Sequence, residues 1–196
     1  MEKKLIRKHK SLVAIDEAGR GALAGPLTVA GLYLDKDSLK ILTKNKILFF
    51  DSKILKPEER EILRKIIKKN GLKYKIVSIS NKKIDKIGIN QAFVYGVKKI
   101  IGYFKPEAIV LDGKAIKELN YKNIYFFIKG DRRLASLGGA SILAKTHRDD
   151  YMKKIAQKFP KYLFEIHKGY GTKKHYQLIK KYGLSSLHRK SFVKFG

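Results

Sequence analysis

No cysteine occurs among the 196 residues of this chain, which excludes a disulfide scaffold, a thiolate zinc site and a cysteine nucleophile. No apolar run approaches the roughly 18–20 residues of a membrane span. The start, Met1 to Arg7, is basic but lacks the apolar stretch of a signal peptide. These absences predict a soluble cytoplasmic protein without a membrane partner. Acids are also scarce: 17 Asp and Glu face 45 Lys and Arg, a net charge of +28. With 44% hydrophobic residues, the charge does not signal disorder. It suggests a polyanionic partner, most often nucleic acid, or more blandly a lysine-rich or thermophilic surface.

The hydrophobic pattern predicts a strand over Leu12–Ile15 ending at Asp16-Glu17, then a glycine-rich turn, Gly19 to Pro26, and a second strand over Leu27–Leu34. So short a link suits an antiparallel neighbour. Pro57-Glu58-Glu59 opens a helix with Ile62, Leu63, Ile66 and Ile67 on its apolar face, closed by Gly71. Alternation over Leu72–Ser80 predicts a third strand, helical spacing over Asn90–Phe104 a second helix, and Ala108–Leu111 and Asn123–Ile128 two more strands. Leu134–Phe159 reads as a long helix with a small-residue patch from Gly138 to Ala144. One more helix, Lys173–Tyr182, is capped by Thr172 and closed by Gly183. This order predicts an α/β domain, a mixed sheet with helices packed on it.

Against the basic background, the carboxylates at strand ends stand out: Asp16-Glu17, Asp112 and Asp131. Buried there, they repel each other unless a cation sits between them. An all-oxygen set favours hard ions such as Mg²⁺ or Mn²⁺, and a pair of such ions can hydrolyse a phosphodiester. The bland reading makes each a turn or cap residue, as for any lone Asp-Gly such as Asp112-Gly113. Gly19-Arg20-Gly21 only partly matches a dinucleotide fingerprint, because Ala24 stands where the third glycine belongs. A backbone concavity with one arginine, able to hold a phosphodiester, fits better.

The segment Ile15-Asp16-Glu17-Ala18-Gly19-Arg20-Gly21-Ala22-Leu23-Ala24-Gly25-Pro26 resembles the signature of the ribonuclease HII family. Asp51-Ser52-Lys53, Leu111-Asp112-Gly113, Lys129-Gly130-Asp131, Ala140-Ser141-Ile142-Leu143-Ala144-Lys145 with Arg148-Asp149, His167-Lys168-Gly169-Tyr170-Gly171-Thr172 and His188-Arg189-Lys190-Ser191-Phe192 resemble its further motifs, in order. Gly138-Gly139, Thr146-His147 and Phe49-Phe50 depart from the usual pattern, away from the acids.

The resemblance implies a ribonuclease H-like catalytic domain over residues 1–160, a mixed sheet flanked by helices, and a small helical substrate-binding segment over 161–196. It implies hydrolysis of the RNA strand of RNA–DNA hybrids, and cleavage 5′ of single ribonucleotides in duplex DNA, leaving 3′-hydroxyl and 5′-phosphate ends. Two divalent ions, Mn²⁺ or Mg²⁺, would be held by Asp16, Glu17, Asp112 and Asp131, with Asp149 and Asp150 as structural rivals for the last place. Gly19, Arg20, Gly21 and Tyr170 would read the ribonucleotide junction and Lys53 would contact phosphate, in a monomer. A related nuclease of the same fold, or a non-catalytic nucleic-acid-binding protein, are the alternatives. From Lys158 to the end, ten Lys or Arg face a single acid, Glu165, which suits a duplex clamp.

Overall fold

The computed structural model describes residues 2–44, 55–130 and 134–193; Lys53 and Asp131 lie outside the described residues. Five strands form one sheet: β1 (Ser11–Ala18), β2 (Leu27–Asp35), β3 (Tyr74–Ile79), β4 (Ala108–Asp112) and β5 (Ile124–Phe127), in the order β3-β2-β1-β4-β5. β1 pairs antiparallel with β2, as does β2 with β3, whereas β1–β4 and β4–β5 are parallel. The sheet is therefore mixed, as the pattern predicts.

The central strand β1 is buried on both faces, which is why it reads as a continuous apolar run. Its side chains alternate between two cores. Leu12 and Ala14, with Ala108 and Val110 of β4, pack under the long helix α6 (Ala135–Ala156). Val13 and Ile15, with Ile109 and Leu111, pack under α5 (Ile89–Phe104). Every residue of α6 from Ser136 to Ala144 is buried. That explains the small-residue patch, which lets the helix lie close over the sheet. Its N-cap Leu134 offers no side-chain acceptor, and Glu2 of α1 (Glu2–Lys8) serves instead, accepting the Ser136 N–H at 2.6 Å.

Several boundaries differ from the sequence reading. β1 continues through Asp16 and Glu17 to Ala18, because β2 keeps pairing with it after β4 has ended. α6 stops at Ala156, and the chain continues through a 3-10 turn, Pro160–Tyr162, into α7 (Phe164–His167). Ile62 of α3 (Pro57–Lys69) is exposed rather than part of its apolar face. α1, α2 (Lys36–Lys44) and α4 (Asn81–Ile87) escaped the sequence reading, being short and rich in lysine. α8 (Lys173–Tyr182) is as read: Thr172 Oγ1 accepts the His175 N–H at 3.2 Å, and Gly183 closes the helix with φ 75°.

Candidate active site

Strand alternation decides where the acids point. Asp16 continues the Leu12–Ala14 series and faces α6; Asp112 continues the Ala108–Val110 series and faces the same way. Ile15 is in register with Leu111 on the adjacent parallel strand, so the next step of each chain brings the two aspartates side by side. Glu17 projects from the opposite face, toward α5.

Asp16 is only 8% exposed. Burial, then repulsion from Glu17, then the more weakly felt Asp112, push its carboxyl up to about 7, against hydrogen bonds from Ser141 of α6 and from the Glu17 N–H at 2.8 Å. Glu17 Oε1 accepts from Arg20 Nε at 2.9 Å, and Arg20 Nη1 donates to Asn90 Oδ1 at 3.0 Å. The Arg20 guanidinium lies 4.8 Å from the centre of the Phe93 ring. Asp112 Oδ1 accepts the Gly130 N–H at 2.8 Å. Glu17, Arg20, Asn90, Phe93 and Asp112 line a cleft of roughly 460 Å³ with residues 113–118.

Among the described residues no three His, Asp or Glu side chains close into a metal cage. The like charges turn to separate partners, Glu17 to Arg20 and Asp112 to Gly130. Gly130 immediately precedes Asp131 in the chain. The donor set nonetheless fits a hard divalent cation: it is all oxygen, and it gathers Asp16, Glu17 and Asp112 as like-charged neighbours.

The loop from Gly19 to Pro26 is held by two fully buried arginines. Arg148 of α6 donates through Nε to Pro26 O at 2.9 Å and through Nη2 to Ala24 O at 3.0 Å. Arg189 donates through Nε to Gly25 O and through Nη1 to Arg20 O, each at 3.0 Å. Burial, reinforced by Arg148, pulls the Arg189 guanidinium down to about 9. The tail closes on the same loop: Ala22 bridges to Tyr170 and Ala24 to His188, and the Leu23 N–H donates to Gly169 O at 2.8 Å. Gly169 has φ 80°, and a Cβ there would stand 2.5 Å from Ala24 O. Tyr170 is half-buried, with Arg148 Cζ 5.0 Å and Lys145 Nζ 5.3 Å from its ring centre.

The structure thus brings the loop that carries Gly19, Arg20 and Gly21 to the segment that carries Tyr170, through the Ala22–Tyr170 bridge. Asp149 and Asp150 line a different cleft, Asp149 paired with Lys145 at 2.9 Å and Asp150 with Arg64 at 2.7 Å. Sequence reasoning missed Asn90, Phe93, Ser141, Arg148 and Arg189 as parts of the site. Ser141, Arg148 and Arg189 lie inside the quoted motifs, and only the fold shows what they hold.

The sequence profile described as ribonuclease HII matches residues 13–195. The ribonuclease HII of Clostridium beijerinckii is 43% identical over 190 residues, covering 94% of this chain and 68% of its own. That of Caldicellulosiruptor bescii is 41% identical over 197 aligned positions, covering 99% and 92%. A structure of the PCNA:RNase HII complex from Archaeoglobus fulgidus superposes with a TM-score of 0.76 at 25% identity, covering 94% of this chain and 96% of that one. A ribonuclease HIII described as a complex with Mn²⁺ shares the fold, with a TM-score of 0.72 at 17% identity over 93% of this chain and 67% of its own.

Proposed function

Because this chain belongs to the ribonuclease HII family and is an endoribonuclease of the ribonuclease H type acting on RNA–DNA, we propose that it cuts on the 5′ side of ribonucleotides, both within hybrids and singly embedded in duplex DNA. The observation that carries this is the placement of Asp16 and Asp112 one step beyond the Ile15–Leu111 pair of adjacent parallel strands, beside a glycine-rich loop bridged to Tyr170.

Mn²⁺ or Mg²⁺ would be held by Asp16, Glu17, Asp112 and Asp131, and when bound supplies the positive charge that activates water and stabilises the departing 3′-oxygen. The chain's own groups select and place the substrate. The Gly19–Gly21 backbone can approach the sugar closely enough to sense the 2′-hydroxyl that separates RNA from DNA. Arg20, facing the cleft, contacts a phosphate there. The Tyr170 ring stacks on the next deoxyribose, where a hydroxyl would crowd it. Lys53 adds a phosphate contact. Hydrolysis breaks the P–O3′ bond, water's oxygen joins the phosphorus, and the ends are 3′-hydroxyl and 5′-phosphate.

Residues 161–196 act as the duplex-binding segment beside the domain of residues 1–160. Lys173, Lys174, Lys180 and Lys181 are all exposed on α8, as are Tyr176 and Tyr182.

The test offers all-DNA, all-RNA, hybrid and single-ribonucleotide duplexes side by side, with divalent ion or chelator. Cleavage of the last two only, abolished by chelator, is expected. Equal cutting of all-DNA duplex would point to a general nuclease of this fold. Binding without cutting under any divalent ion would point to a non-catalytic protein.

A further inference from the structure

Three histidines of the tail meet in the interior behind Tyr170. His167, His175 and His188 are 7%, 0% and 2% exposed. The rings of His167 and His175 stack with centroids 4.1 Å apart, and Phe164 packs against all three. His175 Nε2 and His188 Nε2 are 3.1 Å apart.

The hydrogen bonds admit one arrangement of protons. A carbonyl can only accept, so His175, 2.9 Å from Tyr170 O through Nδ1, carries its proton on Nδ1. His188 Nδ1 receives the Ser185 N–H at 2.9 Å and lies 2.8 Å from Ser185 Oγ, whose hydroxyl can donate to it as well, which leaves the proton of an uncharged His188 on Nε2. His188 Nε2–H then donates to the bare Nε2 of His175. The chain of donors runs one way, from Ser185 through His188 and His175 to the Tyr170 carbonyl. His167 obeys the same logic: Nδ1 receives the Gly169 N–H at 3.1 Å, and Nε2–H donates to Tyr162 O at 2.8 Å. The His167 carbonyl accepts the Tyr170 N–H at 2.9 Å. Both backbone groups of Tyr170 therefore bond to histidines of this cluster, the carbonyl accepting the Thr172 N–H at 2.8 Å as well.

We propose that His175, with its tautomer set by His188, is a positioning residue that fixes Tyr170 against the Gly-Arg-Gly loop and so sets the preference for a ribonucleotide junction. This rests on the reading of Tyr170 as the group that stacks at the junction. His175 touches no reacting atom; it acts through the Tyr170 backbone. A buried, fully satisfied network of this kind rigidifies what it holds, and small misplacement of a substrate-contacting group costs large factors in rate.

Two measurements test this. In the wild-type protein, two-bond ¹H–¹⁵N spectra report which imidazole nitrogen carries the proton. At neutral pH the expected result is Nδ1–H on His175 and Nε2–H on His188 and His167, all uncharged. The opposite tautomer or an imidazolium at His175 would overturn the proposal. The second measurement is the ratio of cleavage rates on a single-ribonucleotide duplex and on a long hybrid, taken from one enzyme preparation. His175→Phe keeps the ring but loses the donor, and should lower the ratio about tenfold or more, as should Tyr170→Ala. His175→Asn, whose amide nitrogen stands near the Nδ1 position, should recover most of it, an outcome that a purely structural role would not give. His188→Leu, which removes the tautomer-setting donor, carries the same expectation as His175→Phe should the latter fail to fold. An unchanged ratio in the folded His175 or His188 variant, beside a lowered one in Tyr170→Ala, overturns the positioning role alone. An unchanged ratio in Tyr170→Ala overturns the reading of Tyr170 and this proposal with it.

Discussion

Nε of Arg148 occupies the space that a side chain on Gly19 would need, 2.0 Å from where its Cβ would stand. Gly19 also has φ 90°, a conformation that other residues rarely adopt. The same guanidinium holds the carbonyls of Ala24 and Pro26, so displacing it frees the far end of the loop as well.

Gly19→Ala should therefore cost about 2–4 kcal/mol of stability through steric and backbone strain. It should also cut cleavage at a single ribonucleotide by about tenfold or more. Thermal melts and a cleavage assay check both. Gly21 is the control: it is exposed, has no positive φ, and a Cβ there meets nothing within 4 Å. Gly21→Ala should melt like the wild type, so any loss of cleavage in it reports substrate contact rather than folding. A destabilised Gly21→Ala would show that the loop is held differently.

Asp16 is a buried carboxylate disfavoured by its surroundings, with Glu17 and Asp112 as like-charged neighbours. Asp16→Asn removes a charge of the wrong sign. In chelator it should melt at the wild-type temperature or above it, while cleavage is lost and hybrid binding is largely kept. Adding Mn²⁺ or Mg²⁺ should raise the melting temperature of the wild type more than that of Asp16→Asn, since an ion held by the folded state stabilises it. Near-normal turnover in Asp16→Asn would remove Asp16 from the catalytic set.

Stability should fall in acid through the histidine cluster. Burial holds His175 and His188 down to about 4, against an ordinary value of 6.5. The unfolded chain takes up these protons first as the pH drops, so it binds more of them between those limits. The contribution is fully present above about 6.5 and is lost as the pH falls through about 4. Melting temperatures over that range should drop less steeply for His188→Leu than for the wild type. Parallel curves would show that carboxylates alone account for the acid sensitivity.

The lysines of α8 should govern salt dependence. Replacing Lys173 and Lys174 by Gln should weaken hybrid binding at low salt. It should also flatten the slope of log affinity against log salt by about 1–2, the loss expected for one or two phosphate contacts. An unchanged slope would move the duplex away from α8.

Much of the sheet was legible because its strands are marked by runs of different kinds. Leu12–Ile15 is a continuous apolar run and becomes the central strand, buried on both faces, whereas Leu72–Ser80 alternates and contains the edge strand β3. The short link from Gly19 to Pro26 implied an antiparallel pair, and one exists. Helices that lean on a few contacts were not legible. α1 buries only Leu5 and Ile6, yet Glu2 supplies the N-terminal acceptor that α6 lacks. That partnership links residues 134 positions apart and leaves no local signal.

The residues themselves determined the chemistry on offer: acids at or just after predicted strand ends in a chain short of acids, no cysteine, and a glycine-rich turn after the first of them. Local pattern settles such matters because hydrophobic period and turn chemistry act over a few residues. Which face each acid takes, and which partner it finds, was decided only by the tertiary structure. Parallel register sets Asp16 beside Asp112, and alternation sends Glu17 the other way to Arg20. The sequence assigned no role to Arg148, Arg189 and the three histidines, though all but His175 lie within the family-like segments. Burial makes them different, because a guanidinium or imidazole taken out of water must find its acceptors, and here it finds them in the loop and at Tyr170.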